Sequence, residues 1–65
     1  MKILIWQVRE SMGISITKLS QMTGISKSTL SRIENEKTSP SMNQMEEIAK
    51  ALECNISDLY YSKYM

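Results

Sequence analysis

The sequence has 65 residues, a formal net charge of +1 at pH 7 and no histidine. A chain of this length forms one domain, and it buries only about 60% of the surface that its unfolded form exposes. Its 42% hydrophobic content excludes a disordered tail, and its near-neutral charge excludes a polybasic, histone-like protein.

Apolar residues recur at helical spacing along the chain, and only two glycines and one proline interrupt them. The pattern predicts five short helices. The first runs roughly from residue 3 to residue 12, where Ile5, Val8 and Met12 lie on one face. Gly13 follows and is well placed to end this helix in a left-handed cap.

The second and third predicted helices each begin after a serine. Ser15 is the expected N-cap of a helix over about residues 16–23, and Ser26 that of a helix over about residues 27–35. In each, the residue before the cap and a residue five positions later have the spacing of a hydrophobic staple. These pairs are Ile14 with Leu19 and Ile25 with Leu30.

Residues 16–35 have the organisation of a helix-turn-helix, because about three residues join the two helices and Gly24 lies at the turn. Ser20 is small where the helices are expected to cross closely. The opposite face of the third helix is polar and free to enter a major groove; it comprises Lys27, Ser28, Ser31 and Arg32. Spacing alone leaves open whether this is a DNA-binding motif or an ordinary amphipathic pair in a bundle.

A fourth helix is predicted after Pro40, where Ser41 and Gln44 match a capping box. Its apolar stripe comprises Met42, Met45, Ile48, Ala49 and Leu52. Ser57 is the expected cap of a last short helix through Tyr61. Because helices this short are unstable alone, all five must share one core. The sequence therefore predicts an all-α fold, a single compact five-helix domain over residues 1–65.

Four segments resemble the Cro and phage-repressor helix-turn-helix family, also called the xenobiotic-response-element type. They are VRESMGIS (8–15), MTGISKSTLSRIEN (22–35), KTSPS (37–41) and IAKALECNISDLY (48–60). The resemblance extends over most of the chain. It implies a lambda-repressor-like DNA-binding fold whose third helix reads bases, commonly as a dimer on a near-palindromic operator.

The resemblance also implies roles for individual residues. Lys27, Ser28 and Arg32 would reach base edges, where lysine and arginine can donate to guanine O6 and N7. Lys27 can instead hold a phosphate, and the sequence does not separate the two roles. The implied DNA-backbone contacts are Thr17, Lys18, Thr29, Asn35 and Lys37. For Lys37, a solvated loop charge is the alternative.

Two positions depart from the family pattern. Ile16 stands where the family often has glutamine, and Glu36 stands where it favours glycine. Both departures predict weaker or differently placed anchoring to the DNA backbone. The resemblance further implies a structural ion pair between Arg9 and Glu34, which would join the first helix to the end of the third.

Aromatic residues near both chain ends suggest a contact surface. A helical wheel places Ile3 and Trp6 away from the apolar stripe of the first helix. Another part of the protein or a partner is expected to pack over an exposed apolar pair of this kind. The cover is either the final helix of the same chain or a second subunit. Because tyrosine is enriched at interfaces, the candidate dimer residues are Tyr60, Tyr61, Tyr64, Trp6 and Ile3.

These observations predict a cytoplasmic, sequence-specific regulator that binds double-stranded DNA, most simply a dimeric repressor. The alternative is a protein-interaction module, such as an antitoxin or anti-repressor partner. No cofactor, metal, small-molecule ligand or membrane contact is predicted. The single cysteine, Cys54, cannot form an internal disulfide, and the chain lacks the ligands of a four-coordinate zinc site. An enzyme is not expected, because the chain has no histidine and Cys54 has no neighbouring base to activate its thiol.

Overall fold

In a computed structural model, which describes residues 1–64, the chain forms four α-helices and a pair of two-residue strands. The elements in chain order are β1 (Lys2–Ile3), α1 (Ile5–Ser11), α2 (Ile16–Thr23), α3 (Lys27–Glu34), α4 (Met42–Leu52) and β2 (Tyr60–Tyr61). A 3₁₀ turn, Ile56–Asp58, leads from α4 into β2. The helical body agrees with the prediction, but the number of α-helices is four and not five.

The helix-turn-helix begins and ends where its capping residues predict. The Ser15 hydroxyl accepts a hydrogen bond from the Lys18 N–H at 3.0 Å, and the Ser26 hydroxyl accepts one from the Thr29 N–H at 3.2 Å. Gly24 ends α2 with a φ of +76°, a left-handed conformation that costs glycine little. Local signals are therefore sufficient to define both helices.

The long helix α4 also follows its predicted capping box. The Ser41 hydroxyl accepts from the Gln44 N–H at 3.0 Å, and the Gln44 side-chain oxygen accepts from the Ser41 N–H at 2.9 Å. Four of the five predicted stripe residues are buried: Met45, Ile48, Ala49 and Leu52. Met42 is the exception. It lies in the first turn, beyond the reach of the core, and is largely exposed.

The first helix is shorter than its periodicity predicts. It begins at Ile5, because Ile3 belongs to β1, and it ends at Ser11. Met12 is exposed and takes no part in the core. Gly13 has a φ of +68°, as expected for a residue that reverses the chain after a helix.

The predicted last helix is wrong. Asn55, not Ser57, precedes the 3₁₀ turn, and its N–H donates to an Asp58 carboxylate oxygen at 2.9 Å. Beyond this turn the chain extends as β2 and pairs antiparallel with β1, with Lys2 opposite Tyr61 and Ile3 opposite Tyr60. Tyrosine and isoleucine favour extended backbone when a partner strand is present.

One core fills the space between the helices and the strand pair. Its fully buried residues are Ile5, Leu19, Leu30, Ile33, Ile48, Leu52 and Leu59. Cys54 packs half-buried against this core, and burial together with the nearby Asp58 carboxylate raises the pKa of its thiol. Within residues 1–64, no helix has the length and apolar character needed to span a membrane.

Candidate nucleic-acid interface

The third helix presents a polar face to solvent, hereafter the α3 face, formed by Lys27, Ser28, Ser31 and Arg32, all of which are exposed. On its opposite side, Leu30 and Ile33 are fully buried. Eight residues span about 12 Å, a length that fits within a major groove. The packing of α3 therefore leaves the whole polar face available to a partner.

Hydrogen bonds fix the turn that orients α3. The Ser20 hydroxyl donates to the Ile25 carbonyl oxygen at 2.6 Å. The Thr23 hydroxyl donates to the Leu19 carbonyl at 2.8 Å and accepts from the Ile25 N–H at 3.1 Å. The sequence predicts only that Ser20 is small; its hydrogen bond across the turn depends on the folded geometry.

The residues predicted to contact the DNA backbone lie in three segments: the start of α2, α3 itself and the turn and loop that follow α3. Thr17 and Lys18 are exposed in the first turn of α2, and Lys37 is exposed in the loop that follows α3. Thr29 is half-buried, with its hydroxyl 2.9 Å from that of Ser26. The Asn35 side-chain amide donates to the Ser31 carbonyl at 2.9 Å, which holds it against the end of α3.

The chain leaves α3 through a turn at Glu36, two residues after the last residue of the helix. Glu36 has a φ of +59°, a left-handed conformation that is uncommon outside glycine and asparagine. Its N–H donates to the Ile33 carbonyl at 3.0 Å, and the Lys37 N–H donates to the Arg32 carbonyl at 2.8 Å. Sequence reasoning missed this strained backbone, although the family's preference for glycine at this position was a signal for it.

A largely buried ion pair joins α1 to the end of α3. The Arg9 guanidinium donates from Nε to Glu34 Oε2 at 2.9 Å and from a terminal nitrogen to Glu34 Oε1 at 3.1 Å. Its other terminal nitrogen donates to the Ile14 carbonyl at 3.0 Å. The two side chains are only 13% and 8% exposed, and hydrogen bonding to Glu34 raises the pKa of Arg9 although burial opposes this. Arg9 thus fixes α3 relative to α1 and the turn before α2.

The candidate dimer residues have different environments. Ile3 is only 6% exposed and belongs to the core, so it cannot form a contact surface. The helical wheel placed Ile3 at the surface because it assumed that the helix included residue 3.

The tyrosines and Trp6 are more accessible than Ile3. Tyr60, opposite Ile3, is half-buried. Tyr61 and Tyr64 are 59% and 85% exposed and line one shallow groove with Met1, Lys2, Ser62 and Lys63, hereafter the ribbon surface. Trp6, on α1, is half-exposed.

Comparison with known proteins agrees with this geometry. The family model of the Cro/C1-type HTH DNA-binding domain matches residues 5–62, which include all four helices and the strand β2. The chain belongs to this family. As a member, it is a DNA-binding transcriptional regulator with a helix-turn-helix at α2 and α3.

A solved structure supports the assignment. The N-terminal DNA-binding domain of SinR from Bacillus subtilis superposes with a TM-score of 0.80 and 31% sequence identity. The match covers 94% of this chain and 90% of that domain. Comparison with the curated proteins gave no significant match.

Proposed function

We propose that this protein is a cytoplasmic repressor that binds a near-palindromic operator as a homodimer, with α3 in the major groove. The α3 face carries the proposal, since it places Lys27, Ser28 and Arg32 on the exposed side of a helix whose other side is buried. Arg32 and Lys27 donate to guanine edges, and Ser28 donates to or accepts from a neighbouring base. Occupation of a promoter by the dimer would exclude the transcription machinery.

Contacts to the DNA backbone position α3 in the groove. Thr17 and Lys18 at the start of α2 approach one strand, where the N–H groups of the helix N-terminus also favour phosphate. Thr29, Asn35 and Lys37 serve the other side of the α3 face. Because one amide hydrogen of Asn35 already bonds to the Ser31 carbonyl, a phosphate contact would use the other N–H of the same amide.

Dimerisation is proposed on energetic grounds. One small DNA-binding module buries about 600–1,000 Å² on DNA, whereas two joined modules read half-sites about 34 Å apart. The ribbon surface is the proposed contact, because its tyrosines are the most exposed aromatic side chains of the described chain. Trp6, on α1, is a further candidate for the dimer contact and is half-exposed.

Selection of bound sequences from a random duplex pool tests the proposal. The expected product contains two inverted copies of one short half-site, with centres about one helical turn apart, or about 10 base pairs. Enrichment of a single asymmetric site would contradict the dimer. Failure to enrich any sequence would contradict sequence-specific binding.

The second candidate is a protein-interaction module such as an antitoxin or anti-repressor partner. The exposed Tyr61 and Tyr64 favour it, since aromatic residues concentrate at protein interfaces. A wild-type protein that showed no salt-sensitive binding to duplex DNA would support this candidate over the first.

A further inference from the structure

Two glutamates adopt left-handed backbone conformations. Within residues 1–64, Glu36 at φ +59° and Glu53 at φ +53° are the only residues other than glycine with positive φ. Both are exposed and lie near the end of a helix: Glu36 is two residues beyond α3, and Glu53 is the C-cap of α4. Left-handed backbone disfavours residues that have a Cβ atom, so both glutamates hold strained conformations. Strain of this kind is concentrated at functional sites.

The loop that carries Glu36 is bound to the end of α3. The Lys37 N–H donates to the carbonyl of Arg32, and the Glu36 N–H donates to the carbonyl of Ile33. These bonds hold the backbone of Glu36 against the last turn of α3, the helix that carries the α3 face. Among the described residues, the ion pair is the one between Arg9 and Glu34. Glu36 forms no ion pair there, so no basic side chain neutralises its charge.

We propose that Glu36 is an electrostatic brake on DNA binding, which lowers the affinity of each subunit for the phosphate backbone irrespective of base sequence. The inference rests on the proposed docking of α3 in the major groove. In that docking a sugar-phosphate strand would pass the end of α3, and Glu36 stands in sequence between two proposed backbone contacts, Asn35 and Lys37. Since like charges repel across the interface, the carboxylate opposes the attraction that Lys37 provides.

The brake has a consequence for regulation. Sequence-independent affinity is almost entirely electrostatic, so one subunit with an opposing charge binds any duplex weakly. Stable occupancy then requires base contacts together with a second subunit, and the repulsion acts twice in a dimer. The protein would therefore need a higher concentration to occupy DNA than a protein without Glu36.

The variants Glu36→Gln and Glu53→Gln form a matched pair. Both lose one negative charge from an exposed, left-handed position, and both keep a side chain of the same length. Only Glu36 lies in the loop that is bonded to the end of α3. The full chain is titrated with a short mixed-sequence duplex at several salt concentrations, and melting curves check that each variant folds.

Glu36→Gln should bind this duplex about threefold to tenfold more tightly at low salt. The gain should shrink as salt is raised, because the Debye length shortens. Glu53→Gln should stay within about twofold of the wild type, since its charge lies outside the proposed interface. Glu36→Asn, with a side chain that tolerates left-handed backbone, replaces Glu36→Gln in the test if glutamine unfolds the chain.

The outcomes separate this inference from the proposed function. Equal gains for Glu36→Gln and Glu53→Gln would reduce the effect to net charge and overturn the brake. Salt-sensitive binding by the wild type that neither variant changes would also overturn it, while leaving the proposed function intact. Absence of any salt-sensitive binding by the wild type would overturn both.

Discussion

The α3 face and the ribbon surface are both exposed and each carries two basic side chains, but only the ribbon surface displays aromatic side chains. The α3 face displays hydroxyls and two cations, Lys27 and Arg32, above fully buried leucine and isoleucine. The ribbon surface displays Tyr61 and Tyr64 beside the chain terminus. The hydroxyls and cations of the α3 face suit a polyanion, and the exposed tyrosines make the ribbon surface the candidate contact for a second subunit. The aromatic side chains therefore distinguish the proposed dimer surface from the proposed DNA surface.

The two surfaces depend on different long-range contacts. The α3 face is held by the ion pair of Arg9 with Glu34, which spans 25 positions in sequence. The ribbon surface depends on the pairing of β1 with β2, extended by a hydrogen bond from the Leu4 N–H to the Leu59 carbonyl at 2.8 Å. A substitution that breaks one of these contacts should therefore leave the other surface intact, unless the whole domain unfolds.

The largest expected effect breaks both surfaces at once. Glu34→Ala should lower the free energy of unfolding by about 3–5 kcal/mol, because it leaves the buried Arg9 guanidinium without its partner. For a domain of this size such a loss approaches the total stability. Urea or thermal unfolding measures it, with the exposed Glu46→Ala as the control. A midpoint for Glu34→Ala that matches the control would contradict the role of the pair.

The next effect addresses the ribbon surface alone. Replacing Tyr61 and Tyr64 together by serine should weaken self-association at least about tenfold, because exposed tyrosines that become buried in a dimer contribute more than 1 kcal/mol. Binding to DNA by a single subunit should not change. Sedimentation equilibrium measures the association, with the exposed Met42→Ser as the control. An unaltered association constant, or a wild type that remains monomeric at high micromolar concentration, would contradict the assignment.

The smallest effect concerns the turn that orients α3. Ser20→Ala removes the hydroxyl that donates to the Ile25 carbonyl and should cost about 1 kcal/mol of stability. The alanine still permits the close crossing of α2 and α3, so the loss reports the hydrogen bond rather than the size of the side chain. Denaturant unfolding measures it against the exposed Ser31→Ala. Equal stability of the two variants would show that packing alone orients the turn.

The helix-turn-helix could be predicted from sequence because its signals are local. Ser15, Ser26 and Gly24 each determine the backbone of their immediate neighbours, so the bounds of α2 and α3 follow within about a residue. Helical spacing also predicts the polar α3 face, and none of these features requires knowledge of where distant parts of the chain lie. The pairing of Arg9 with Glu34, which are 25 positions apart, comes from the family resemblance alone.

The strand pair and the strained loop could not be predicted in this way. The segment before Tyr60 has the composition of a short helix, and only pairing with Ile3, far away in sequence, selects the extended form. The same pairing buries Ile3, which a helical wheel had placed at the surface. The left-handed φ of Glu36 results from the way the loop closes on α3, and composition alone does not reveal it.

The comparison of Arg32→Ala with Lys50→Ala measures whether the protein binds DNA through α3. Each variant loses one exposed cation, but only Arg32 lies on the α3 face; Lys50 lies in the last turn of α4. On a duplex selected by the wild type, Arg32→Ala should bind about 10- to 150-fold more weakly, whereas Lys50→Ala should stay within about twofold. Equal losses in the two variants, or full affinity in Arg32→Ala, would contradict the docking of α3 on DNA.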